Sequence, residues 1–167
     1  LFSCFTLFWT VAPLQLAREF GFTQRGIALF ALAGVAGVFS APIAGRLADR
    51  GHSRVATLVA MLLAAFGFLV SYVGAAGSAL NLACLIVAAI AIDLGAQGNV
   101  VLGFRAIFLL GHENRSRLNG LYMATFFAAG AAGSAVGAWA FAQGGWTLAA
   151  AIGLALPVAG LLYAATE

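Results

Sequence analysis

Six predominantly apolar stretches, each 17 to 24 residues long, fill almost the whole of this 167-residue chain. They run over 1–17, 27–45, 55–74, 79–102, 118–141 and 146–165. As α-helices they are about 26–36 Å long, which matches a hydrocarbon core of about 30 Å once tilt is allowed. Only 8% of the residues are charged, against 63% hydrophobic, whereas a soluble domain carries about 25% charged residues. So few charges cannot cover a water-facing surface, and a water-soluble fold is excluded. A β-barrel would need segments of about 10 residues alternating in polarity, and the chain has none. The expected fold is an all-α membrane protein, with residues 1–167 forming one bundle of six transmembrane helices.

Arginine placement orients the bundle, because short cytoplasmic loops retain positive charge. The second connector holds Arg46, Arg50 and Arg54, and the fourth holds Arg105, Arg115 and Arg117, while the third and fifth hold no arginine. Connectors two and four are therefore expected on the cytoplasmic side together with both termini, which suits an even number of spans. The chain opens on Leu1 with an apolar run and no charged region ahead of it, so it does not read as a signal peptide; it reads as a fragment. Phe30, Gly34 and Gly37 repeat in spacing as Phe126, Gly130 and Gly133. Those residues sit on the second and fifth stretches, the same rank in two successive triplets, as an inverted three-plus-three repeat requires.

Asp93 stands alone as an acid inside an apolar stretch. It lies nine residues before Leu102 and therefore about 13 Å deep, where a carboxylate costs about 2.5–3.5 kcal/mol on insertion scales. Such a group must face protein or water, and it is a candidate for binding a proton or a cationic group, with Gln97 one turn further along the same face. A structural hydrogen bond between helices is the alternative. In the first stretch Thr6, Thr10, Pro13 and Gln15 interrupt the apolar run; Thr10 and Gln15 join Asp93 and Gln97 as expected lining of a central cavity, and Pro13 removes a backbone bond and favours a bend. Trp9 is read as packing.

Gly34 and Gly37 on the second stretch, and Gly130, Gly133 and Gly137 on the fifth, are expected to let helices approach closely. Cys4 and Cys84 sit in apolar runs and behave as small hydrophobes. His52 and His112 have no partners at zinc spacing, and no nucleophile–base pair or phosphate-cradling glycine–lysine loop occurs. No metal, cofactor or catalytic residue is therefore expected, and no basic stripe with interleaved aromatics suggests nucleic acid.

The second connector reads Gly45-Arg46-Leu47-Ala48-Asp49-Arg50-Gly51-His52-Ser53-Arg54, which resembles the loop signature Gly-x-Leu-Ala-Asp-Arg-x-Gly-Arg-Arg/Lys of the major facilitator superfamily. It departs at His52 and Ser53, where that family has Gly and Arg. The stretches from Asp93 to Asn99 and from Arg115 to Met123, with Phe8-Trp9-Thr10, resemble the later helices of bacterial drug and sugar efflux members. The resemblance implies the carboxyl-terminal six-helix half of a twelve-helix carrier in the bacterial inner membrane, partnered by a missing amino-terminal half. It further implies proton-coupled efflux of a small organic solute by alternating access, with Gly45, Asp49, Arg50 and Arg54 forming a gating loop. Two alternatives stay open: a six-helix carrier that pairs with itself, and an anchoring module whose arginines bind anionic lipid.

Overall fold

The structure, a computed structural model, describes residues 1–109 and 115–166. His112 lies outside the described residues. Helix α1 covers Phe2–Phe20, α2 Gln24–Ala31, α3 Ser40–Asp49, α4 Ser53–Val70, α5 Ala79–Leu109 and α6 Arg115–Ala164. A 3-10 helix, Leu32–Phe39, joins α2 to α3 without a break. The described residues contain no strand.

Among the described residues four helical stretches are long and apolar enough to cross a membrane: Gln24–Asp49, Ser53–Val70, Ala79–Leu109 and Ser116–Ala164. The last of these holds both the fifth and the sixth expected stretch. It is interrupted where Gly144 (φ −139°) and Gly145 (φ 62°, ψ −153°) leave helical geometry, between the two stretches. Helix α1 is not in this set; its Thr6, Thr10, Gln15, Arg18 and Glu19 dilute its apolar character. Instead it is enclosed by protein, with Cys4, Leu7, Phe8, Val11, Ala12 and Leu16 buried. Pro13 lies within it without ending it.

Helix ends differ from the sequence expectation at the arginine-rich face. The loop expected from Arg46 to Arg54 is mostly helical, and Gly45 to Asp49 belong to α3. The turn shrinks to Arg50–His52 because Gly51 adopts φ 77°, so that its N–H bonds the Ala48 carbonyl and the next N–H, from His52, reaches Leu47 at 2.9 Å. This Schellman closure satisfies the last carbonyls of α3 and needs a residue free to enter the left-handed region. Helix α5 likewise runs about two turns past Leu102, since Gly103 alone is too weak a breaker to stop it.

Where helices approach closely, small residues lie at the contact. Helix α1 lies along α6, α4 along α5, and the α2–α3 rod along α5. On that rod Gly37, Ser40 and Ala44 are buried, whereas Leu29, Leu32, Val35, Val38 and Ile43 are more than half exposed. Along α6, Gly130 faces Phe2, Gly133 the backbone of Ser3, and Gly137 Leu7 of α1. The core they enclose centres on Leu7, Phe8, Leu16, Phe68, Leu85 and Ile92.

Candidate functional site

Asp93 is 4% exposed, midway along α5. Its Oδ2 accepts a hydrogen bond of 2.8 Å from the Trp9 indole N–H of α1. A carboxylate removed from water is costly unless it is paired or hydrogen-bonded, and among the described residues no arginine forms an ion pair with it. One neutral donor therefore holds a group that charge would hold far more firmly.

The 3-10 helix makes room for this contact. A Cβ on Gly34 would lie 2.9 Å from the Trp9 ring and 3.4 Å from Asp93 Oδ1. On Gly37 it would lie 2.8 Å from Gln97 Cγ and 3.2 Å from Asp93 Cβ. Both glycines are thus spacers, allowing the rod to close over the acidic turn of α5. Phe8 and Phe30 stand edge-on to the Trp9 ring at 5.6 and 6.0 Å, which fixes the direction of its N–H.

The far side of Trp9 is open. With Phe2, Phe5, Thr6, Thr10, Phe127 and Ser134 it lines a depression of about 410 Å³ between α1 and α6. Thr10 donates to the Thr6 carbonyl at 2.7 Å, so the 2.8 Å contact with Ser134 runs from the Ser134 hydroxyl to Thr10. Thr6 donates to Gly130 across the same interface. Hydroxyl protons are consumed internally, and the depression presents ring surfaces and acceptor lone pairs. Asp93 does not line it; the carboxyl meets the same indole at its N–H edge.

The structure brings Asp93 and Gln97 together with Gly34 and Gly37, and puts Thr10 across the Trp9 wall from them. Gln15 is elsewhere: it borders a separate pocket with Arg18, Ser71 and Asn81 at the opposite end from the arginine-rich connectors. Trp9 was missed by sequence reasoning, because an aromatic in an apolar run reads as filler. The usable signal was that a buried indole N–H requires an acceptor, and one acid is available at that depth.

At the arginine-rich end, Asp49 at the close of α3 pairs with Arg105 of α5, tying the two helices together. Arg54 donates to the Ala164 carbonyl at the end of α6, at 3.0 Å. Arg50 points to solvent, and a Cβ on Gly45 would meet nothing. Tyr122 of α6 packs edge-on against Phe104 near the same end.

The Major Facilitator Superfamily model matches residues 1–166. The chain belongs to that superfamily. It is 33% identical over 162 residues to the uncharacterised transporter YgaY of Escherichia coli O157:H7, and equally to its counterpart in strain K12. Those alignments cover 96% of this chain and 40% of the relative's length. No solved structure matches at a significant level. Membership in the superfamily, with the apolar helices described above, makes this a multi-pass membrane protein.

Proposed function

We propose that residues 1–167 form one six-helix bundle of a bacterial inner-membrane secondary transporter that exports a small organic solute in exchange for protons. The observation that carries this reading is Asp93: a buried acid with no cation paired to it among the described residues, held by an indole N–H whose ring is also the wall of an open depression. A hydrogen bond to a charged acceptor contributes about 1.5–3 kcal/mol, against about 0.5–1.5 for a neutral one. Protonating Asp93 therefore loosens Trp9 by about 1–1.5 kcal/mol, roughly a tenfold change in the population of the closed wall. Solute resting on the ring and a proton resting on the carboxyl thus act on one bond from opposite sides.

Alternating access would then be rocking of this bundle against a second one, with the Asp49–Arg105 pair holding α3 to α5 and Arg50 free to engage the partner bundle. The two arms of α6 count as separate spans in this reading, α1 is the enclosed sixth, and the arginine connectors and both termini face the cytoplasm. The chain's 40% share of its relatives' length supports a half-transporter. No catalytic chemistry is proposed.

The test is Asp93→Asn in the full-length protein, reconstituted in liposomes with an imposed pH gradient. Solute flux driven by the gradient should be abolished while membrane insertion and expression persist. Transport with an unaltered pH dependence would remove the proton role.

A further inference from the structure

Gln15 is 7% exposed, and among the described residues no hydrogen bond engages its side chain. A buried primary amide without a partner among the described residues is unusual, and its donors and acceptor face the pocket it borders. The pocket measures about 310 Å³, at the lower end of the range for small-molecule sites. It lies where α1 and α4 finish, α5 starts and α6 breaks, away from the Trp9–Asp93 pair.

Its other polar groups are held in place with capacity to spare. Asn81 is also 7% exposed and donates an amide N–H to the Val73 carbonyl at 3.0 Å, which leaves its side-chain oxygen as an acceptor. Tyr72 donates to the Thr147 carbonyl at 2.8 Å, so its oxygen too can only accept. Arg18 and Glu19 supply one charge of each sign, and they contact one another only loosely, at 3.6 Å, beyond hydrogen-bond length. Gly145, in its glycine-only conformation, keeps the backbone of α6 bare beside Arg18: a Cβ there would stand 3.8 Å from the guanidinium Nη1.

The lining therefore offers both donors and acceptors, with one charge of each sign. Arg18 and the Gln15 amide nitrogen suit a carboxylate, while Glu19 and the Asn81 and Tyr72 oxygens suit an ammonium group. We infer that this pocket is a second solute site, distinct from the depression beside Trp9, which takes a small zwitterion of the amino-acid type. A simple anion would leave Glu19 repelling it, and a simple cation would meet Arg18. Water alone would fill the space with about ten molecules, and would show no preference between solutes.

The experiment is equilibrium dialysis of the purified full-length protein with radiolabelled glycine and L-alanine, with acetate and methylamine as half-ligands. Saturable binding of the two zwitterions is expected, with each half-ligand at least tenfold weaker. Gln15→Leu and Arg18→Gln should each weaken zwitterion binding at least tenfold, and Asp93→Asn should leave it unchanged, which separates this site from the proton-coupling reading. Arg18 is exposed, so Arg18→Gln keeps the fold and serves as the test even where Gln15→Leu fails to express. Absence of saturable binding, half-ligands that bind as well as the zwitterions, or binding indifferent to Arg18→Gln would each overturn the proposal.

Discussion

Replacing Trp9 by Phe deletes the indole N–H that reaches Asp93 at 2.8 Å and keeps an aromatic ring against Phe8 and Phe30. The loss mixes two effects, a smaller ring and an orphaned carboxyl, and a double-mutant cycle with Asp93→Ala, which removes the acceptor, separates them. If Asp93 is ionised, the pair is a hydrogen bond to a charged acceptor and its coupling is about 1.5–3 kcal/mol. That corresponds to a factor of about 10 to 150 in the unfolding constant, at about 1.4 kcal/mol per tenfold. Protonation of Asp93 converts the acceptor to a neutral one, and the coupling should fall to about 0.5–1.5 kcal/mol. The sign follows directly: a bond that favours the ionised form is stronger at the high-pH limit and weaker at the low-pH limit. The assay is reversible unfolding of the full-length protein and the three variants in mixed micelles, followed by tryptophan-independent far-ultraviolet circular dichroism at both limits. Coupling below about 0.5 kcal/mol at both, or coupling of equal size at both, would refute the claim that this bond senses the charge on Asp93.

Gly34→Ala places a methyl 2.9 Å from the Trp9 ring, an overpacking expected to cost about 1–3 kcal/mol, readable as a lowered melting temperature together with reduced solute flux. Gly145→Ala forces a side chain into φ 62°, ψ −153°, a region essentially reserved for glycine and worth about 1–3 kcal/mol of strain. Gly120→Ala on α6 meets open space and should be neutral or slightly stabilising in the same thermal assay, since alanine is the better helix former. Asp49→Asn removes an exposed ion pair with Arg105; melting should hardly change, the pair being screened, while transport rate falls if this contact gates the bundle.

The all-helical, membrane-spanning character of the chain was legible in the sequence because charge and glycine clusters cannot sit at lipid depth without consequence. Helix ends were less so. The signature from Gly45 to Asp49 reads as loop by its polarity, yet the helix continues until Gly51 offers a left-handed residue to close it. The candidate site was half legible: Asp93 and Gln97 are four residues apart and necessarily share a face. Thr10 and Gln15 are five apart, or about 140° around a helix of 3.6 residues per turn, and the structure duly sends them to different pockets. Trp9 required knowing which helix crosses α5 at Asp93, and no local pattern carries that information.

The 3-10 winding of Leu32–Phe39 has an evolutionary corollary. With three residues per turn, positions three apart eclipse one another, so Gly34, Gly37 and Ser40 form one file toward α5 while Leu32, Val35 and Val38 form another toward the outside. Point changes along the outer file should drift freely among aliphatics. A single inserted or deleted codon, by contrast, would rotate the rod by about a third of a turn and swing a bulky branched side chain onto the acid.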